Sequence, residues 1–353
     1  MALSPNYGFP EPDNTSLVKN GAQAMRDLGN SIDTFLNRPL TYNGVINGAM
    51  QVAQRGTSFT VAGSGVNTLD RWKAVIFSGS STVSQQLTSD TTNLPNIQYC
   101  QRVVRAAGVT GVGPDYLAQS FENLSSTQYA GKTISFSFYA RKGAGFTGTF
   151  TANVISGTGT NQNFIDVAIT GQATVIAQTA TLTTTWQRFT YTGTVASTAA
   201  QVFVYFTHQG TGTAPANDYF EVTGVQLEIG SQASPFQTAS GGSIQGELAM
   251  CQRYYERTMD TIAPFGSAYS TTFVDFYIPF KVTKRQNPIL SGSGLTVEST
   301  ASGGAVSYNT GTFTIPSGAA NYARVRYTHG TAVFVAGTTW AIYGTFIAYD
   351  AEL

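Results

Sequence analysis

Two histidines, His208 and His329, are the chain's only imidazoles, and each follows a threonine that closes an apolar run, in FTHQG and YTHGT. A catalytic triad needs a histidine held between a nucleophile and an orienting acid. Neither context supplies that setting, and no G-x-S-x-G elbow is present, so hydrogen bonding at loop ends is their expected role. Glycoside hydrolysis requires two carboxylates flanking the scissile bond. Asp166, Asp218, Glu221, Glu228 and Asp275 lie on or near strand-like segments, but spacing alone does not pair them. Asp218 and Glu221 offer oxygens suited to a structural calcium ion, yet no DxDxDG-like loop accompanies them. Glycine-rich runs such as Gly108–Gly113 contain no lysine and precede no helix, which excludes a phosphate cradle. Cys100 and Cys251 are the only cysteines, too few for a disulfide framework or a metal-ligand pattern, and are expected to be free buried thiols. No cofactor or metal is expected, and no enzymatic activity.

What remains is binding. Saccharide recognition uses aromatic faces against pyranose rings and a few placed polar groups for the hydroxyls. Trp72, Trp186, Tyr139, Tyr191, Tyr205 and Arg71 fall in or beside strands of the first β region. Tyr139 and Tyr205 stand out because each alternates out of phase with the apolar face of its strand. Tyr139, Tyr205, Trp72 and Arg71 are therefore the candidate ligand-binding residues.

The elements that would position them read as mainly β. In Thr133–Arg141, Ile134, Phe136, Phe138 and Ala140 share one face and Ser135, Ser137 and Tyr139 the other, the period of two that buries one side of a strand. The same alternation runs through Tyr219–Ile229 and slips by one residue at Gly224, the mark of a β-bulge. Further strands are expected at 45–54, 72–77, 98–105, 120–121, 149–155, 177–181, 187–194 and 201–207. Many short strands linked by Gly, Ser and Thr point to an antiparallel sandwich or jelly roll. A polar stretch, Ser231–Gly246, is expected to link this body to Glu247–Arg257, a helical or irregular segment with Leu248, Cys251, Tyr254 and Tyr255 on one side. Strands resume at 272–282, 295–298, 313–315, 323–327, 332–335 and 340–349. The last is apolar on both faces, as in a central or interface strand. The domains are thus an arm and helix over 1–40, a jelly roll over 41–238 and a second β-sandwich over 247–353.

Residues 1–13 read as an extended arm. One helix follows, about Ser16 to Leu36, with Asn14, Thr15 or Ser16 able to cap it. Val18, Met25 and Ile32 recur every seven residues, and Leu28 and Phe35 follow the latter two by three. This is the a/d stripe of a short coiled coil, so Val18, Met25, Leu28, Ile32 and Phe35 are the candidate oligomerisation residues. Arg38-Pro39 ends the helix.

Composition narrows the partners. The 353 residues carry 19 Lys+Arg and 19 Asp+Glu, 11% charged with zero formal net charge. Binding to nucleic acid or an anionic membrane would need a basic excess. With 42% hydrophobic and 12% aromatic residues the chain is not globally disordered, and with so little charge its solubility rests on uncharged polar side chains and 37 glycines. Near-neutral surfaces favour association. The N-terminal segment lacks the basic and apolar regions of a signal peptide, and no apolar run of about 18 residues spans a membrane. Synthesis in a cytoplasm without secretion is the expectation.

As an ordered set, NGAMQVAQRGTSFT, TLDRWKA, QSFENL, GKTISFSFYARKGAG, NDYFEVTGVQLEIG and ELAMCQRYYER resemble virion appendage proteins of tailed bacteriophages, especially tail-fibre proteins with a carbohydrate-binding-module-like jelly roll. The set covers most of the chain's middle. The N-terminal YGFPEPDNTSLVKNGAQAMRDLGNSID is similar to early segments of phage structural proteins, particularly those of cyanobacterial viruses. The resemblance implies a homotrimer in the virion, contacts to other virion proteins through the arm and helix, and attachment to host-surface polysaccharide. Two other readings stand beside it: a purely architectural virion protein, and a glycan-cleaving tailspike.

Overall fold

The computed structural model describes residues 2–3, 10–11, 20–36, 43–94, 96–259, 264–299 and 306–353. The chain folds as two compact units. The first comprises 58–67, 72–243 and the described residues up to 51; the second comprises 52–57, 68–71 and 244–353.

The first unit begins with a two-stranded pair, β1 (Ala2–Leu3) and β2 (Pro10–Glu11), so the expected extended arm is antiparallel where it is described. Helix α1 spans Gly21–Leu36. The expected start and caps at 14–16, and Val18, lie outside the described residues, as does the side chain of Phe35. On α1, Met25 is 69% and Ile32 38% exposed, while Leu28 is half-buried.

The body of this unit is two six-stranded sheets. Its strands are β3 (Ser58–Val61), β4 (Val66–Asn67), β5 (Lys73–Ile76), β6 (Ser81–Leu87), β7 (Tyr99–Arg105), β8 (Pro114–Ser120), β9 (Thr133–Lys142), β10 (Thr149–Gly157), β11 (Ala173–Thr179), β12 (Gln187–Thr194), β13 (Gln201–Gln209) and β14 (Tyr219–Ile229). The first sheet runs β12-β9-β14-β7-β6-β3 and the second β11-β10-β13-β8-β5-β4. From β7 onward the pairings nest: β7 with β14, β8 with β13, β9 with β12 and β10 with β11, all antiparallel. A long hairpin rolled over on itself in this way is a jelly roll. Between the sheets, Phe136, Phe138, Phe150, Phe206 and Phe220 are buried, with ring centroids 4.8 Å apart for Phe138–Phe206 and 5.0 Å for Phe150–Phe220. Each buried phenylalanine contributes roughly 1.5–3 kcal/mol of transfer free energy.

Residues 44–50 are not the strand that their apolar content suggests. They form turns with Asn47 and Met50 at positive φ, yet Val45, Asn47 and Met50 are buried. Buried irregular backbone must find polar partners. Gln119 supplies them to Ile46, accepting from its N–H at 2.9 Å and donating to its carbonyl at 2.8 Å; Asn43 donates to the Val225 carbonyl at 2.7 Å. The polar stretch after β14 is no free linker either. Ser234 donates to Glu228 from its amide at 3.0 Å, the Gln237 amide donates to Gln226 at 2.8 Å, and Thr238 and Ala239 are buried.

The second unit holds α2 (Ile244–Gln252), β15 (Tyr255–Met259), β16 (Phe265–Ala268), β17 (Phe273–Pro279), β18 (Ile289–Ser293), β19 (Thr296–Ser299), β20 (Ser307–Tyr308), β21 (Thr312–Ala319), β22 (Tyr322–Thr328), β23 (Thr339–Tyr343) and β24 (Phe346–Asp350). They form a three-stranded sheet, β15-β24-β18, and a seven-stranded sheet, β20-β19-β23-β16-β17-β22-β21. Val274, Phe276, Val325, Tyr327, Trp340, Ile347 and Tyr349 from both sheets share one core. The doubly apolar run expected as one strand over 340–349 is two, β23 and β24, in different sheets. A strand that changes sheets exchanges the face it buries. The strand expected at 332–335 is a loop, its Val333 and Phe334 amides both donating to the Thr271 carbonyl at 2.8 and 2.9 Å.

Candidate functional site

The outer face of the first sheet carries a cleft of about 1360 Å³ within the first unit, lined also by residues from 88–94, 96–98 and 235–242. Its floor is set by strand phase. Ile134, Phe136, Phe138 and Ala140 point into the core, so Ser135, Ser137 and Tyr139 of β9 face outward. On β12, Arg188 lies directly opposite Tyr139, and on β14 Thr223 does so from the other side.

The glycine slip in β14 is what seats the tyrosine. The β14–β9 register shifts between Thr223 and Gln226, and Gly224 adopts φ +56°. A Cβ on Gly224 would lie 2.7 Å from Tyr139 Cδ2 and 2.8 Å from Ile97 Cδ1. Glycine therefore serves twice: it accepts the left-handed conformation and lets the ring approach the strand. Behind the tyrosine, Leu94, Ile97, Cys100 and Trp186 form a small buried cluster, with Phe236 packed against it. Burial pushes the Cys100 thiol well up, with Glu221 adding to the effect, so it is an unreactive packing group.

Arg188 is fixed beside the ring. Its Nη2 donates to Ser137 Oγ at 3.1 Å and to the Ser234 carbonyl, and its guanidinium carbon sits 5.9 Å from the Tyr139 centroid. The rest of the lining mixes uncharged polar side chains, among them Gln51, Thr88, Asn96, Gln98 and Gln237, with apolar ones, among them Leu94, Ile97 and Phe236. Asp90 is the one carboxylate in the lining. Asn93, through its backbone and side-chain N–H groups, holds that carboxyl below the usual range, so it accepts hydrogen bonds as an anion. A broad trough with two aromatic rings, Tyr139 and Phe236, a pinned cation and several amides and hydroxyls can bind a hydroxyl-rich chain. Its volume exceeds the roughly 300–1,000 Å³ of a pocket for one small ligand.

The four candidates from sequence do not assemble. Tyr139 is in the cleft. Tyr205 also faces outward, but from the second sheet, stacked with Phe164 at 4.4 Å and 6.0 Å from Tyr116. Trp72 is fully buried, its Nε1 donating to the Asn47 carbonyl at 3.1 Å; a ring without exposed surface presents no platform, which removes it from the site. Arg71 is also removed. It belongs to the second unit, is 5% exposed, pairs with Glu352 and lies 3.5 Å over the Tyr254 ring. Of the two other strand aromatics, Trp186 is buried in the cluster behind Tyr139 and Tyr191 lines the core against Phe138. Arg188 was missed although its signal was available: in QRFTYT it alternates out of phase with Phe189 and Tyr191, as Tyr139 does on its own strand.

The carboxylates considered for calcium are engaged by arginines. Asp218 is in a fully buried pair with Arg105 at 2.7 Å, and Glu221 holds both Arg102, at 2.5 Å, and Arg141. His208 is buried, its Nε2 2.7 Å from the Thr147 carbonyl oxygen. Burial pushes its pKa down, so it is neutral at pH 7. His329 bonds Thr310 and Thr331 at a loop end.

No protein-family model matches the chain, and no curated protein matches it. Among solved structures it is similar to the enzymatically active domain of a bacteriophage CBA120 tailspike protein, at 12% identity and TM-score 0.33, over 53% of this chain and 21% of that one. It is also similar to a family 4 carbohydrate-binding module, at 18% identity and TM-score 0.31, over 53% of this chain and 100% of the module. A Stig cyclase from Fischerella matches at 9% identity and TM-score 0.35, over 55% and 100%. The match spans about a fifth of the tailspike domain. The jelly-roll assignment follows from the nested strand pairings above.

Proposed function

We propose that this chain is a non-enzymatic structural component of a tailed-phage virion, a tail-fibre or appendage subunit that attaches the particle to host-surface glycan through the cleft above Tyr139. The observation that carries the binding role is the seated Tyr139 ring beside the pinned Arg188 in a trough of amides and hydroxyls. The virion setting is supported by the ordered sequence resemblance to phage appendage proteins and by the near-absence of net charge. In this reading the chain is made in the host cytoplasm and acts on the particle. It assembles as a homotrimer about α1, whose Met25 and Ile32 are exposed on the described chain, and reaches other virion proteins through the N-terminal arm and helix. Three copies about one axis turn weak single-site sugar binding into useful avidity.

The test is binding of host polysaccharide to the isolated protein, by glycan array or by competition for cell adsorption. Tyr139→Ala and Arg188→Gln are each expected to weaken binding about tenfold, since stacking and a charge-assisted hydrogen bond are each worth on the order of 1–2 kcal/mol. Absence of any binding at high protein concentration would replace this reading with a purely architectural role. Release of reducing ends from the polysaccharide would replace it with glycan cleavage.

A further inference from the structure

The outer face of the seven-stranded sheet in the second unit exposes a patterned set of side chains. Strand alternation buries Val274, Phe276 and Ile278 of β17 and turns Phe273, Asp275 and Tyr277 outward. On β22, Arg326 lies opposite Asp275 and Arg324 opposite Tyr277, with Tyr322 two pairs further along, opposite Pro279. On β16 the pairs with β17 end at Gly266 opposite Phe276, and continuing that register by one residue places Phe265 next to Tyr277 on the same face. Phe265 is 65% and Tyr277 61% exposed, and the Tyr277 and Tyr322 ring centroids are 6.4 Å apart. A single exposed aromatic needs no explanation; three on neighbouring strands of one face mark an interaction surface.

Among them stands a built polar group. Asp275 is buried beneath two guanidiniums, accepting from Arg324 Nε and Nη2 at 3.1 and 2.6 Å and from Arg326 Nε and Nη2 at 2.7 and 2.9 Å. Arg326 also lies 3.7 Å over the Phe273 ring. These contacts fix both arginines and leave one positive charge unbalanced. Among the described residues neither Nη1 meets an acceptor. The next described carboxylate on this face, Glu298 of β19, is three strands from β17, about 14 Å at the usual strand spacing.

We propose that this face binds an acidic saccharide, a chain of carboxylate-bearing sugar rings. Ring faces lie on Tyr277, Phe265 and Tyr322, and ring carboxylates are received by Arg324 and Arg326. A preoriented planar guanidinium favours a carboxylate, and the aromatic faces favour a ring over a flexible peptide. A neutral sugar would leave the extra charge unanswered. A nucleic acid would find only that one charge, where such binding requires several. The proposal shares with the cleft reading the premise that the chain meets saccharide, but it uses a different face and different residues.

The test is calorimetric titration of the full chain with polygalacturonate at low salt, with neutral dextran and poly-glutamate as comparison probes. Polygalacturonate is expected to bind in a salt-sensitive way, at least tenfold more tightly than either comparison. Tyr277→Ala and Arg326→Gln are each expected to weaken it at least fivefold. Both substitutions spare the fold, because Tyr277 is exposed and Asp275 keeps Arg324; thermal unfolding checks this. Tyr139→Ala is expected to leave polygalacturonate binding unchanged, so the cleft can fail while this face binds, and the reverse. The proposal is overturned by no polygalacturonate binding, by equal affinity for poly-glutamate, by indifference to both substitutions, or by loss of binding in Tyr139→Ala.

Discussion

Gly224 and Asp70 show how single residues set local energetics. Alanine at 224 must hold a left-handed conformation, costing about 1–2 kcal/mol, and must displace Tyr139 or Ile97 from contacts of 2.7 and 2.8 Å. Gly224→Ala is expected to lower stability by roughly 2 kcal/mol and also to weaken glycan binding at the cleft. Unchanged affinity, in an equilibrium titration of a folded variant, would mean the ring's seat does not matter. Asp70 is buried in the second unit, where burial pushes its carboxyl up to about 6 against the opposing hydrogen bonds from Gln54. The folded pKa lies above the unfolded one, so this group's contribution is fully present below about pH 4 and is lost as pH rises through 6. Wild type is therefore expected to gain on Asp70→Asn by about 2 kcal/mol between pH 7 and pH 4, read from urea midpoints of the two proteins. Residues of this kind differ in legibility. The bulge at Gly224 and the outward phase of Tyr139 follow from alternation alone. Trp72 could not be placed, because TLDRWKA gives no phase to a residue at a strand's edge. Asp70 gave no signal either, since its burial depends on Gln54 arriving from another segment.

At the scale of elements, α1 carries a clear heptad periodicity, and of its stripe the described side chains of Met25 and Ile32 are exposed. Met25 is 69% exposed and Leu28 half-buried, positions that a coiled-coil seam would cover with sister helices. On the proposed assembly about α1, wild type is expected to show a multiple of the chain's mass in light scattering, and Met25→Asp with Leu28→Asp to reduce it to that of one chain; a wild type with the mass of one chain overturns that assembly. A wild-type oligomer left unchanged by both substitutions would show that α1 is not the assembly axis. Strands with a regular apolar–polar rhythm were legible nearly to the residue: β9, β12 and β14 fall where alternation places them. Strands β3 and β6 were not, because SFTV is short and STVSQQL is largely polar. Their ladder is made by backbone bonds and by β7, with seven aligned pairs between β6 and β7. The C-terminal run misled for the opposite reason. Continuous apolarity over 340–349 suits one doubly buried strand, but the two faces are buried in succession by β23 and β24 in different sheets.

For the whole molecule, the second unit is not contiguous in sequence. It incorporates 52–57 and 68–71 as well as 244–353, and both short segments are fastened by charge. Arg55 pairs with Asp350 at 2.7 Å and lies 3.7 Å over Tyr255, while Arg71 pairs with Glu352 and lies 3.5 Å over Tyr254. Glu352 is nearly buried, with 9% of its side chain exposed. Removing both arginines would leave its charge without those partners, an arrangement that costs several kcal/mol. No periodicity announces this, since an irregular segment that lends one arginine to a distant carboxylate has no pattern to read. Cutting the chain at the 243/244 boundary therefore takes structural parts away from the second unit. Residues 244–353 expressed alone are expected to be destabilised by several kcal/mol, with weak near-ultraviolet circular dichroism and a broad thermal transition. Adding 52–71 back on a flexible linker is expected to restore a sharp one. If 244–353 by itself melts as cooperatively and at the same temperature as the corresponding transition of the full chain, the two borrowed segments are ornaments on a self-sufficient sandwich. The pairs at Arg55 and Arg71 would then contribute nothing measurable to its stability.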